Sequence, residues 1–140
     1  MSAKENKETL RRYFDDYFNK GDLSRWNDMV DKDYVMRRVG AAESKGLEAA
    51  KQGVAQMKAI SPDMRINIEE MVGEGDVVAV RGEFTGTFTG DYQGVKVNGK
   101  KYVRPYAAFY VFKNGKIASV WTVQDWMGTA QQFGFKLTQQ

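Results

Sequence analysis

Apolar residues recur at three- and four-residue steps up to Ile60 and at two-residue steps from Met64 onward. Leu10, Tyr13, Phe14, Tyr17 and Phe18 make a helical stripe with Lys, Asp and Arg between them. Asn19-Lys20-Gly21 ends that helix with glycine in the C′ role, and Asp22 is placed to cap a second helix over roughly 23–31. Leu23, Trp26, Met29 and Val30 are its core side. A short strand is expected at Tyr34–Arg37. A third helix is expected over roughly 46–60, with Leu47, Ala50, Val54, Met57 and Ile60 at helical spacing. Ser61-Pro62-Asp63 stops it, because proline disfavours helical geometry in the residue before it.

Beyond Pro62, Met64, Ile66, Ile68 and Met71 alternate with polar partners until Gly73-Glu74-Gly75-Asp76 makes a turn. Val77–Phe88 reads as a long strand. Asn98-Gly99 and Asn114-Gly115 are strong hairpin signals, since both central residues of a type I′ turn need positive φ. They bracket strands at about 100–112 and 116–124, and Trp126–Phe133 has room for a two-turn helix. Helices followed by an antiparallel meander give an α+β fold class. Strands this long must twist and curl. The expected architecture is therefore a curved antiparallel sheet whose concave face the N-terminal helices cover, with a short C-terminal helix and a pocket between the layers.

Composition narrows the chemistry. The chain has 140 residues, enough for a single domain (1–140) with its own core. It contains no cysteine and no histidine, which removes disulfides, thiolate chemistry, imidazole metal sites and serine–histidine nucleophiles. Acid–base work falls to Asp, Glu, Lys or Tyr. Residues 1–91 carry a net charge of −3 and residues 92–140 a net of +6, with Asp125 the one acid of the second part. The lysines there (Lys96, Lys100, Lys101, Lys113, Lys116) gather at turn signals, and no nucleic-acid reader motif accompanies them, so no nucleic-acid partner is expected. There is no long apolar run and no export signal, so no membrane association and a cytoplasmic location are expected.

The strand before the final helix holds the sharpest candidate. Period two places Ile117, Ser119, Trp121, Val123 and Asp125 on one face. If that face is covered, Asp125 is a desolvated carboxylate beside Trp121, poised as a general acid or base. Asp125 also directly precedes a helix, where aspartate is a favoured N-cap. Arg81 and Glu83 share a strand face and form either an ion pair or a substrate contact. One of Arg37 and Arg38 must point inward. Tyr102, Tyr106 and Tyr110 share a face suited to packing or subunit contact. Tyr13 and Tyr17 can send a hydroxyl into the cavity. Gly86-Thr87-Phe88-Thr89-Gly90 is no phosphate cradle, because no helix opens after it.

The run VVAVRGEFTGTFTGDYQG (77–94) and the segment KNGKIASVWTVQDWMGTAQQFGF (113–135) resemble the SnoaL-like polyketide cyclases, within the wider nuclear-transport-factor-2-like superfamily. FNKGDLSRWNDMVDKDYV (18–35) and GLEAAKQ (46–52) fit the helical part of the same pattern. The resemblance implies a cone-shaped α+β barrel and an intramolecular aldol ring closure that uses neither cofactor nor metal. The aspartate ending its W-x-x-x-D strand, the acid–base residue, falls on Asp125. Arg37 stands where the family often has histidine, and so does Phe88 in the G-T-H-T-G pattern. Tyr106-Ala107-Ala108 lacks the acid often found on the penultimate strand. Ketosteroid isomerases would need a first-helix tyrosine, a base and an acid where Phe14, Arg37 and Ala107 stand. Limonene-epoxide hydrolases would need a second acid within Arg104-Pro105-Tyr106.

The expectation is an enzyme that acts on a hydrophobic carbonyl or ester compound through Asp125, as a cyclase or a related isomerase or dehydratase. Trp121, Arg37, Tyr17, Phe14 and Arg81 are the expected substrate contacts. The alternative is a non-catalytic module that binds a small molecule or a partner with the same cavity. A homodimer or homotetramer is expected, because one sheet face must be buried by something.

Overall fold

The computed structural model describes residues 2–92, 95–136 and 138–139. Helix α1 (Ala3–Arg12) begins in a capping box: the Glu5 amide donates to Ser2 Oγ (3.1 Å) and the Ser2 amide to the Glu5 carboxylate (3.3 Å). It continues as a π-helical segment, Tyr13–Asn19, in which the Lys20 amide reaches back five residues to the Asp15 carbonyl. The wider winding turns Tyr13, Phe14, Tyr17 and Phe18 inward together. Tyr13 packs on Trp26 (5.7 Å between centroids) and Tyr110 (6.1 Å), joining this segment to the sheet.

The second helix is much shorter than its apolar spacing predicts. Helix α2 covers Trp26–Met29, and Val30 already opens strand β1 (Val30–Arg38). Asp22 accepts from the Ser24 amide (2.9 Å) and so holds a turn, while Arg25 takes the N-cap position of α2. The longer strand has a tertiary cause: β1 pairs in parallel with the late strand β8 (Lys116–Gln124) and accepts the two-residue β2 (Ser44–Lys45) on its other side. Pairing available only in the folded chain overrides local helix preference. Helix α3 (Leu47–Ile60) follows the predicted span closely.

Strands β3 (Arg65–Glu74), β4 (Val77–Thr87), β7 (Lys101–Lys113) and β8 form the predicted meander, and the sheet order is β2-β1-β8-β7-β4-β3. The parallel β1–β8 pair is a departure from a wholly antiparallel sheet. The sheet is curved and unclosed, with β2 and β3 at its edges. Strands β5 (Asp91–Tyr92) and β6 (Val95–Lys96) form a separate small pair. Asn114-Gly115 makes the expected turn with both φ positive (51° and 76°), whereas at Asn98-Gly99 only the glycine is left-handed. Helix α4 (Trp126–Gln132) closes the fold. No helix among the described residues is long and apolar enough to cross a membrane.

Strand β7 sets the two faces. Tyr102, Arg104, Tyr106, Ala108, Tyr110 and Phe112 are buried on the concave side, and Val103, Phe109 and Val111 are exposed on the convex side. The tyrosine ladder is thus core, and its neighbours are the residues left uncovered. Two bulges shift the phase of the flanking strands. Ile68 faces Gly82 and Glu70 faces Arg81, which leaves Glu69 as an extra residue in β3; Phe112 faces Ile117 and Val111 faces Ser119, which leaves Ala118 extra in β8.

Gly82 sits against the first bulge. A Cβ there would collide with the Asn67 carbonyl and meet Ile68 Cα at 3.1 Å, both of them backbone. Gly82→Ala is expected to destabilise the protein by roughly 1–3 kcal/mol in denaturant unfolding. A loss below about 0.5 kcal/mol would mean that β3 and β4 part there without cost.

Candidate active site

Between the concave sheet face and the covering helices lies a cavity of about 130 Å³. Tyr13 and Phe18 come from the π-helical segment, and Ala50, Val54 and Met57 from α3. Met36 and Arg38 of β1, Phe84 of β4, Arg104, Tyr106 and Tyr110 of β7, and Val120, Thr122 and Gln124 of β8 line the sheet side; Trp126 of α4 stands at the end. Drug-sized ligands occupy cavities of about 300–1,000 Å³, whereas a cavity of about 150 Å³ holds a benzene ring. This space fits one ring or its equivalent.

No aspartate or glutamate lines the cavity among the described residues. Its charges are guanidinium groups. Arg104 is 1% exposed; its Nε donates to Gln124 Oε1 (2.9 Å) and its guanidinium carbon lies 3.8 Å from the Trp126 ring centroid. Arg38 reaches the cavity from β1. Its hydroxyl-bearing residues are Tyr13, Tyr106 and Tyr110, with Ser44 and Thr122. Burial pushes the ionisation of Tyr13, Tyr106 and Tyr110 well above that of a free phenol, so each remains a neutral hydrogen-bond donor at physiological pH.

Most of the sequence-predicted contacts lie elsewhere. The bulge at Ala118 sends Val120, Thr122 and Gln124 inward, and it turns Trp121 (44% exposed), Val123 and Asp125 outward. Trp121 packs on Phe109 on the convex face. Asp125 is exposed, and its Oδ1 accepts from the Gly128 amide (2.8 Å) as the N-cap of α4. The expectation of a desolvated Asp125 beside a covered Trp121 is therefore corrected. Arg37 pairs with Glu43 at 3.1 Å in solvent, and Arg38 is the inward member of the pair. Arg81 lies on the convex face and pairs with Glu69 (2.6 Å) and Glu70 (2.8 Å) instead of Glu83. Tyr17 donates to the Ala50 carbonyl (2.8 Å), which ties the π-helical segment to α3, and Phe14 packs on Tyr110 behind the cavity. Of the two first-helix tyrosines, Tyr13 is the one that lines it.

Residues 8–133 match the family model for SnoaL-like polyketide cyclase. The chain belongs to that family. Among solved structures, IdmH of Streptomyces antibioticus, a candidate polyketide cyclase, superposes with a TM-score of 0.83 at 24% identity, covering 93% of this chain and 99% of that one. A candidate polyketide cyclase of Acidithiobacillus ferrooxidans superposes at 0.83 with 23% identity (96% and 98% covered). A candidate SnoaL-like cyclase of Jannaschia sp. CCS1 gives 0.85 with 20% identity (96% and 95%). At these identities the likeness shows the shared fold. No curated protein matches the sequence at a significant level.

In this SnoaL-like chain Arg104, Tyr106 and Tyr110 escaped the sequence reading as site residues, although they share the phase of Tyr102 and Phe112 along β7. One inward residue on a strand implies the others at every second position. The site can place hydrogen-bond donors and positive charge around a carbonyl oxygen, but it places no carboxylate beside a carbon acid. Asp125→Ala is expected to lower stability by about 1 kcal/mol. Asp125→Asn, which keeps a side-chain acceptor for the Gly128 amide, should stay near the wild type in the same melts. Equal losses in both variants would show that the carboxylate does more than cap.

Proposed function

We propose that the chain is a ring-closing enzyme for compact carbonyl compounds, and that it promotes intramolecular aldol condensation by confinement and by hydrogen-bond donation to the reacting oxygens. The observation that carries this reading is the donor-lined, acid-free cavity in a member of the SnoaL-like polyketide cyclase family. In an aldol closure an α-carbon loses a proton, the resulting enolate carbon bonds to a second carbonyl carbon, and that carbonyl's electron pair becomes an alkoxide that takes up a proton. Negative charge resides on oxygen throughout. Neutral tyrosine hydroxyls and guanidinium groups stabilise it in a dry site. A wall fitted to one ring holds the two carbons near each other, and such orientation can supply several kcal/mol of the barrier. The α-proton leaves to solvent, which suits a methylene flanked by two carbonyls. Asp125 takes no part in this reading.

A short linear 1,3-diketone that carries a third carbonyl further along, and closes through its central methylene to a cyclohexenone with loss of water, tests the reading, followed by the ultraviolet absorbance of the conjugated product. Acceleration over buffer is expected in the wild type and in Asp125→Asn alike, and a loss of about ten-fold or more in Tyr106→Phe. Loss of turnover in Asp125→Asn with folding intact would return the proton transfer to that carboxylate. The second reading is a binding module for the same class of compound, and the absence of an acid in the cavity favours it. Binding of the diketone without acceleration would establish it.

The convex face supports a homodimer. Val72 of β3, Val103, Phe109 and Val111 of β7, and Trp121 and Val123 of β8 are exposed there, with the Arg81–Glu69–Glu70 group beside them. A second copy turned through a two-fold axis would cover the same patch on itself. Light scattering at micromolar concentration should show a dimer, and Phe109→Glu should leave a folded monomer. A monomeric wild type would exclude the interface.

A further inference from the structure

Among the described residues that line the cavity, Arg38 of β1, Ala49 and Gly53 of α3 and Trp126 of α4 are exposed. The cavity therefore meets solvent between α3 and the end of β1 with the start of α4. We infer that Gly53 sets the length of ligand accepted: its missing side chain keeps this mouth open for an unbranched apolar chain attached to the enclosed ring. Only the identity of that ring rests on the proposed function.

Glycine inside a helix is costly, because it loses more backbone freedom on folding than alanine does. Gly53 lies midway along α3, where the usual reasons for glycine are absent. Every other described glycine either has a positive φ or stands against neighbouring atoms, as Gly82 does against the Asn67 carbonyl, Gly86 against Ser61 Oγ and Gly128 against the Asp125 carboxylate. Gly53 is helical, and a Cβ built on it would meet nothing within 4 Å. Neither backbone conformation nor crowding demands glycine there. What the residue provides is space.

Helical phase puts that space at the mouth. Gly53 lies three residues after Ala50 and four before Met57, and all three line the cavity. A side chain at this position would project along the lining face of α3. The Tyr17 hydroxyl donates to the Ala50 carbonyl (2.8 Å) one turn away, which holds α3 in place and keeps the gap from closing. A cavity of about 130 Å³ encloses roughly one ring, so whatever the ring carries must leave through the mouth. Ala49 and the Trp126 indole, 36% exposed, offer a departing chain apolar surface. Arg38, the charged member of the rim, adds an aliphatic stem along which methylenes can also lie.

Two cyclohexenones are the probes, one with a methyl and one with a heptyl group at C3. In NMR titrations the full wild-type chain should bind the heptyl compound about ten-fold more tightly, the gain from burying roughly two methylenes. Gly53→Leu should abolish that advantage and leave the methyl compound bound as before. Ala55→Leu adds the same bulk to an exposed position of α3 outside the cavity lining, and should retain the advantage. Gly53→Ala should raise Tm by about 3–4 °C, since alanine is the better helix former. Equal affinity of the wild type for both compounds, or no binding of either, would overturn the inference, and this comparison does not depend on how any variant folds. So would a heptyl advantage that survives in folded Gly53→Leu, an equal fall for both compounds there, or a Gly53→Ala variant no more stable than the wild type. Heptyl preference without diketone closure would defeat the proposed function and leave this inference standing. Closure with no preference for the chain would do the reverse.

Discussion

Side-chain alternation along β7 is the constraint on which the rest of this structure depends. Its thirteen residues pair with β4 on one side and β8 on the other, so neither face can rotate without breaking two ladders. One phase buries Tyr102, Arg104, Tyr106, Ala108, Tyr110 and Phe112; the other exposes Val103, Phe109 and Val111. The inward phase supplies the cavity with Arg104, Tyr106 and Tyr110, and the outward phase leaves an apolar band across the convex side. Core, pocket and exposed apolar band follow from a single register. A shift by one residue would exchange them all.

The bulges then decide which neighbours join which face. At Glu69 the extra residue lets two consecutive carboxylates reach Arg81 from the convex side, and the resulting ion group keeps that arginine away from the pocket. At Ala118 the extra residue moves Val120, Thr122 and Gln124 into the cavity and moves Asp125 out of it. Gln124 gains a structural duty by this shift, since its amide oxygen holds the Arg104 guanidinium against Trp126. One inserted residue thereby replaces an acid at the strand end with an amide that orients a cation.

This explains what could be read in the chain beforehand. Helices α1 and α3, the meander from Arg65 to Gln124, both hairpin glycines and α4 rest on local periodicity and turn chemistry, and these are legible residue by residue. The parallel pairing of β1 with β8 is not, because it joins residues far apart in sequence and shortens a helix that the apolar spacing of Leu23, Trp26 and Met29 supports. Nor is the bulge at Ala118: the run from Ile117 to Asp125 alternates cleanly, and only the partner strand shows that one residue goes unpaired. The bulge in β3 did leave a trace, in the three-residue step from Ile68 to Met71 where two was expected. Arg104 was legible in principle from the phase of Tyr102 and Tyr106.

An acid-free cavity imposes a particular division of labour. A buried carboxylate must be paired or neutralised, and beside Arg104 it would form an ion pair whose attraction holds the carboxylate as a poor base. Tyrosine avoids that trap: burial raises its ionisation, so desolvation makes it a more dependable donor while adding no charge to the core. On the reading proposed here, such a wall stabilises an oxyanion once formed but removes no proton itself. The carbon acidity must then belong to the substrate, which restricts useful ligands to those whose enol form is already within reach near neutral pH. Selectivity in this site is thus set as much by the ligand's own acidity as by its shape. The roughly one-ring volume of the cavity determines which part of a larger molecule meets the tyrosines.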